Sequence, residues 1–502
     1  MMKKYLNLFN ISPETAEKLI RTAMSSGSDF ADLYFEHSVA SGLLLRDGEV
    51  CTCSLKEDYG TGIRAVSGEK TGYSYCESTD PEEMNNAAKA ASAIGSGLSH
   101  ICTPADVSKN GISSSRHDIS TRHGFNTAHN VIMTGTDQLR LTSNPMKQDL
   151  LYPVVSPWTD CPVDTQIQFL KGIETRIYSA DSRVKKIIAR ASWSNTEILM
   201  YNSLGEWAAE TAPLGSVSVT AILDGFSNSV SRSFRIGAEL LNEMTADEIC
   251  NAILKNIDEK LEARRPKGGI MPVVIGAGAG GILLHEAMGH SFEADFNRKG
   301  QSIFSDMMGK RICREGINIV DDGTIPGNRG SCLYDDEGVP GQKTYMVTDG
   351  VLTSYLHDRI SARHYDVSPT GNGLRESFRY NPIPRMRATY MENGAYSKEE
   401  IISSVKKGIY VDEFSNGQVK IGEGDFTFYV ESGFLIEDGK LTMPVKDINI
   451  SGNGPEALAD ISMVGNDLKI DNGTWICGKE QSVAVSCGIP TVLVDKLTVG
   501  GE

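Results

Sequence analysis

Four turn dipeptides, Asp47-Gly48, Asp349-Gly350, Asn416-Gly417 and Asp438-Gly439, constrain this chain more than any other feature of its sequence. Each is flanked by apolar alternation, and the two-residue hairpin turn it favours needs positive φ at both central positions, which Asp, Asn and Gly tolerate. A hairpin joins antiparallel strands, so the half of the chain that holds the last three pairs is expected to be dominated by antiparallel sheet. Over residues 30–76, breaks at Asp47-Gly48, Tyr59-Gly60 and Ser67-Gly68 divide a second strand-rich region into three or four strands.

Helices fall between these regions. Ser12 followed by Pro13 reads as an N-cap with proline at the first helical position, and Ala16, Leu19, Ile20 and Ala23 recur at helical spacing before Gly27. Asp80-Pro81-Glu82-Glu83 is a capping box opening an alanine-rich helix that stops before Gly95. Thr245 and Glu248 form another, opening a helix through Ile249, Ile253, Ile257 and Leu261. Strand-like runs return over 164–222, and residues 103–150 read as a polar insertion whose His117, His123 and His129 are loop histidines. The 502 residues are too many for one core, and the expected class is α+β in two domains, each with antiparallel sheet plus helices. An N-terminal domain spans 1–225; a hairpin-rich C-terminal domain, 226–502, carries any metal site.

Charge narrows the partners. With 49 Lys and Arg against 65 Asp and Glu the chain carries net −16, which repels nucleic-acid phosphates and anionic membranes. Arg375, Arg379, Arg385 and Arg387 form the densest basic stretch, interleaved with glycine and proline; it reads as scattered surface charge or as an anion site. "MMKKYLNLFNISPE" lacks an unbroken apolar run and a small-residue cleavage site, and no window reaches the ~18 apolar residues that cross a bilayer. A cytoplasmic protein is expected. Its ten cysteines fit reduced thiols, with Cys51 and Cys53 as small buried hydrophobes on one strand face.

The chemistry concentrates in "GAGAGGILLHEAMGHSFEADF", residues 276–296, where two signatures overlap. Gly276, Gly278 and Gly281 spell the glycine turn of a dinucleotide site. Such a site also needs a parallel strand ending in an acid some twenty residues on, and "FEADFNRKGQSIF" supplies none. The glycines serve equally to turn a strand into a helix and to admit a neighbouring backbone. His285, Glu286 and His290 form the second signature, a metal site with a built-in base. The metalloprotease pattern H-E-x-x-H places its histidines about 40° apart on a helix. One more residue makes that about 140°, too divergent for one ion unless a π-bulge restores the register or the helix ends at Gly289 and frees His290.

"LLHEAMGHSFEADFNRKG" resembles the signature of the TldD/PmbA family of zinc metallopeptidases, in the TldD branch that keeps the histidines PmbA-type members lack. The resemblance continues in "DDEGVPGQ", "SPTGNGLRESF", "GNDLKIDNGTWICGKEQ" and "PTVLVDKLTVGG", and near the start in "DFADLYFE" and "GTGIRAVSGEKTGYSY". It implies a Zn²⁺ held by His285, His290 and, within "WICGKE", Cys477, a donor set zinc favours in tetrahedral sites. Cys487 competes for the sulfur position, Glu293 and Asp295 are carboxylate candidates, and Cys332 reads as structural. Glu286 becomes the general base of hydrolysis by metal-activated water, with His357, His364 and Arg375 as candidates to steady the oxyanion. The implied substrates are unfolded or flexible peptides, gripped by strand addition to a sheet edge, and the implied partner is a PmbA-type subunit or a second copy. A rival of another class is a non-catalytic peptide-binding scaffold subunit, against which the intact Glu286 speaks, since a structural zinc site needs no base.

Overall fold

The structure is a computed structural model in which residues 2–96, 145–278, 280–420 and 422–501 are described. The loop histidines His117, His123 and His129, and the insertion from 103 to 144, lie outside the described residues; its last positions open a helix, Pro145–Leu151. By contacts the chain divides into two units, one of residues 1–35, 60–144 and 199–209, the other of 36–59, 145–198 and 210–502.

In the first unit the strand Glu49–Ser67 pairs antiparallel with Lys70–Cys76, from Thr61 opposite Cys76 to Ser67 opposite Lys70. Helix Pro13–Ala23 starts as expected, Ser12 Oγ accepting from the Thr15 amide at 3.2 Å, and buries Ala16, Leu19, Ile20 and Ala23. Helix Pro81–Ser92 is capped by Asp80, whose carboxylate accepts from the amides of Glu82 and Glu83 at 2.9 and 3.1 Å. The return arm of the capping box differs, because Glu83 takes the Ser78 hydroxyl at 2.5 Å. Gly72 lets this helix approach its strand: a Cβ there would lie 2.2 Å from the Ala91 carbonyl oxygen. Inside the unit Arg64, fully buried, donates through Nε to Asp32 at 2.7 Å.

The second unit carries three sheets' worth of strands. Trp207–Ile222 and Ser227–Phe234 form a hairpin, from Gly215 opposite Phe234 to Ile222 opposite Ser227. A second sheet runs Val351–Leu352, Lys343–Thr348, Ile319–Asp322, Ala388–Met391, Ser486–Ile489, Lys469–Asp471. In the third, Gly269–Ile275 lies between Lys407–Val419, to which it is parallel, and Val492–Val499, to which it is antiparallel. Val492–Val499 pairs on with Asn449–Asn453, that strand with Asp425–Glu437, and Asp425–Glu437 back with Lys407–Val419. Five strands therefore close on themselves, which removes the unpaired edges of an open sheet. Val273, Ile275, Ile409, Val411, Phe428, Ile450 and Val494 fill the core this ring shares with Leu283, Leu284 and Phe292.

The class is α+β with antiparallel sheets, and three of the four dipeptides turn: Asp47, Asp349 and Asp438, each with the glycine after it, all have φ between +48 and +77. Asn416-Gly417 does not. It lies within Lys407–Val419, Gly417 opposite Phe428, and a Cβ at Gly417 would sit 2.0 Å from that ring, so the glycine is spent on the aromatic side chain across the ladder. Tyr59-Gly60 is likewise inside a strand, leaving three strands over 30–76. Residues 163–180 are a helix, Val163–Ala180, burying Leu170, Ile173 and Ile177 at helical spacing, where strand had been expected. The helix Glu243–Leu254 is capped by Asn242 rather than Thr245, and it breaks at Asn256, φ +58, before a separate helix Ile257–Glu262. Cys51 and Cys53 are exposed, not buried, and the nine described cysteines are free thiols. Arg375, Arg385 and Arg387 are buried rather than scattered over the surface. No described helix is long and apolar enough to cross a membrane.

Candidate metal centre

Strand Gly269–Ile275 leaves the ring through a glycine turn and becomes helix Gly281–Ala287. Gly278 takes φ +95, a Cβ on Gly276 would lie 2.6 Å from the Tyr410 hydroxyl, and one on Gly281 would lie 2.6 Å from the Gly488 nitrogen. The Gly278 amide donates to the Ile489 carbonyl at 3.0 Å. The glycines thus seat a neighbouring strand against the turn, and an amide that a phosphate would need is already used.

The helix then resolves the spacing of its histidines by ending before His290, the second of the two alternatives, two residues earlier than Gly289. It ends at Ala287, Met288 breaks it with φ −131 and ψ −47, and a 3-10 turn, Gly289–Phe292, follows. The tighter turn re-aims His290, so no π-bulge is needed. Gly289 lies under Met386, whose sulfur would be 2.2 Å from a Cβ. The two imidazole rings end with centroids 5.2 Å apart and planes at 79°.

Cys477 comes from the hairpin Ile476–Lys479 and Gln481–Ala484, which turns at Glu480 with φ +56. Its sulfur lies 3.2 Å from His285 Nε2 and 3.1 Å from His290 Nε2. All three residues are buried, and among the described residues they are the group whose donor atoms lie within 4.8 Å of one another. Glu286, next to His285, has an oxygen 3.9 Å from His290 Nε2 and keeps its side chain 26% exposed, so the cluster meets solvent on the glutamate's side.

Charge is organised around this cluster. Burial opposes ionisation of the Cys477 thiol, yet hydrogen bonds from both imidazoles bring it down to about 6. Burial likewise works against a charged His290, but the Glu293 carboxylate and the thiol push it up to about 10. Glu293 itself, despite full burial, is held down to about 2 by Lys479, His290 and Arg385. The surroundings thus favour the thiolate form of Cys477, the form in which it would hold a cation. Two imidazole nitrogens and a thiolate suit Zn²⁺, whose bonds of about 2.0–2.3 Å put such donors roughly 3.5 Å apart at tetrahedral angles.

The remaining candidates lie elsewhere. Glu293 accepts from His290 Nδ1 at 2.9 Å, on the ring edge facing away from the sulfur, and Asp295 pairs with Lys479 at 2.7 Å. Cys487 is in strand Ser486–Ile489, where burial pushes its thiol well up, and Cys332 is buried likewise. His357 packs edge-on against the rings of Tyr355 and Tyr365, which also touch each other, and is pushed down to about 4 by burial; His364 stacks edge-on with Tyr365. Arg375 donates to the Asp336 carbonyl at 2.8 Å. Sequence reasoning missed Lys479 and the role of Arg385. Lys479 Nζ lies 3.0 Å from Glu293, and Arg385 donates to the Cys477 carbonyl at 2.6 Å. The available signal was Lys479 itself, two positions after Cys477 in a strand and therefore on the same face.

Three family models match the chain: PmbA/TldA metallopeptidase domain 1 over residues 31–95, the central domain over 156–265 and the C-terminal domain over 268–501. A metalloprotease TldD homolog of Haemophilus influenzae is 35% identical over 98% of this chain and 97% of its own. A zinc metalloprotease TldD homolog of Saccharolobus solfataricus is 28% identical, covering 96% and 99%. Among solved structures, a Thermotoga maritima protein superposes with TM-score 0.71 at 21% identity over 97% of this chain and 99% of its own. TldE of Thermococcus kodakarensis gives 0.67 at 18%, covering 97% and 100%.

Proposed function

Because the chain belongs to the PmbA/TldD metallopeptidase family, we propose that it is a zinc-dependent peptidase in which His285, His290 and Cys477 hold the ion and Glu286 is the general base. The observation that carries this is the meeting of three buried donors, two from one broken helix and one 192 positions away, beside a partly exposed carboxylate. When bound, zinc supplies Lewis-acid polarisation of a carbonyl and lowers the pKa of water. Glu286 holds the proton taken from that water at its carboxylate and delivers it to the leaving amine. Glu293 fixes His290 with Nδ1 protonated and Nε2 free to donate its lone pair, since a carboxylate can only accept.

The substrates are unfolded or flexible peptides, a reading supported by the burial of the three donors beside a partly exposed Glu286, which a thin extended chain reaches more readily than a folded domain does. A peptide held by strand addition is read through its backbone and tolerates many side chains. The edge it uses is not that of the Cys477 hairpin, where Arg385 already occupies the Cys477 carbonyl. The same proposal has the protein working in the cytoplasm with a PmbA-type partner or a second copy. Cleavage of an unstructured peptide and zinc content, measured on the native chain and on Glu286→Gln, test it. The variant is expected to keep its zinc and lose about 10²- to 10⁴-fold in kcat. Undiminished cleavage would remove the mechanism and leave a scaffold.

A further inference from the structure

The metal centre is carried by two pieces of chain with no covalent reason to stay in register. His285 and His290 come from a helix that breaks at Met288, and Cys477 comes from a two-stranded hairpin. Lys479 joins them. It follows Cys477 by two positions on the same strand, so both side chains leave the same face. Its ammonium nitrogen lies 3.0 Å from Glu293 Oε2, the atom that accepts from His290 Nδ1 at 2.9 Å. The same nitrogen is 2.7 Å from Asp295 Oδ1 and 3.1 Å from the Pro384 carbonyl oxygen, and it lies over the Phe296 ring at 4.3 Å. Glu293, Asp295 and Phe296 all belong to the segment immediately after His290. Lys479 therefore ties the strand that delivers the sulfur to the segment that delivers the second imidazole. Lys479 and Glu293 are both buried, so neither charge has water to fall back on.

We propose that Lys479 is a positioning residue for the metal centre: through Glu293 it fixes the ring of His290 and sets the distance between that ring and the Cys477 sulfur. This rests on the zinc-site assignment above and deepens it. Outer partners of metal-bound histidine tune affinity by roughly 10- to 100-fold. Here one cation does so from the strand of a different ligand, so it governs the geometry of the whole donor set.

The test uses the full chain with zinc, and with cobalt as a spectroscopic substitute whose absorption reports the thiolate bond and the coordination geometry. Lys479→Met is expected to weaken zinc binding about 10- to 100-fold in chelator competition and to alter the cobalt–thiolate absorption. Lys479→Arg, which keeps the charge, is expected to recover most of both. Should Lys479→Met fail to fold because buried Glu293 keeps only His290 and the more distant Arg385, at 3.7 Å, against its charge, Lys479→Met with Glu293→Gln removes both charges and is read in the same way. Wild-type affinity and spectrum in either neutral variant would overturn the proposal, as would an equal loss in Lys479→Arg. Cys477→Ser run in parallel separates the two levels. If it binds zinc as tightly as the native chain, the site assignment itself fails; if it loses zinc while the Lys479 variants do not, the positioning role alone fails.

Discussion

At the scale of single residues, buried charge decides what can be changed. Arg64 and Asp32 are buried together, and removing one partner of such a buried ion pair typically costs about 3–5 kcal/mol. Arg64→Met should therefore lower unfolding stability by about that much in chemical denaturation, and adding Asp32→Asn should recover a large part; equal stabilities for single and double variants would contradict this. Glu36 is a carboxyl that burial pushes up to about 7, although it accepts from the Phe378 amide at 2.9 Å. Its folded state holds the proton more tightly than the unfolded chain does. Stability is therefore full below the unfolded value near 4.3 and is lost as pH rises through about 7. Glu36→Gln can keep the hydrogen bond and lose the titration. The variant should nearly match the native chain at pH 4.5 and exceed it at pH 8 by about 4 kcal/mol; an advantage of the same size at both pH values would mean another cause.

At the scale of elements, close approach matters more than propensity. Gly281 sets helix Gly281–Ala287 against Gly488, and the clash a Cβ would make is with backbone, which cannot rotate away. Gly281→Ala is expected to destabilise by about 1–3 kcal/mol and to weaken zinc binding as His285 moves with its helix; calorimetry with metal titration reads both. Elements were legible in the sequence where one local signal had one use. Asp349-Gly350 turns because both residues tolerate the positive φ the turn needs, and Ser12 caps because its hydroxyl takes the Thr15 amide at the open end of the helix. Asn416-Gly417 carries an equivalent turn signal, but its glycine makes room for Phe428, a residue that only the folded ladder brings opposite. Val163–Ala180 was unreadable for a related reason: its β-branched and aromatic residues favour strand locally, and packing overrides them. The site divides likewise. His285, Glu286 and His290 could be picked out by spacing, and Cys477 only through family resemblance. Glu293, Lys479 and Arg385 look like ordinary charged residues until the fold buries them beside a ligand.

At the scale of the whole molecule, the centre joins parts of the second unit that are far apart in sequence, so binding there stabilises the fold that creates it. Free zinc at 100 times its dissociation constant adds about 2.7 kcal/mol. The unfolding midpoint should rise with zinc and fall with a chelator in the native chain and stay fixed in Cys477→Ser; an equal rise in that variant would place the stabilising ion elsewhere. The strand ring adds a matter of timing. Gly269–Ile275 finds its antiparallel neighbour only in Val492–Val499, and the histidines wait for a sulfur 192 positions on. A nascent chain that has emerged through His290 thus carries both imidazoles and Glu286, the base we propose, with nothing to complete them. If the proposed function holds, order of synthesis itself keeps a peptide-cutting centre from forming beside the unfolded peptide most within its reach, its own.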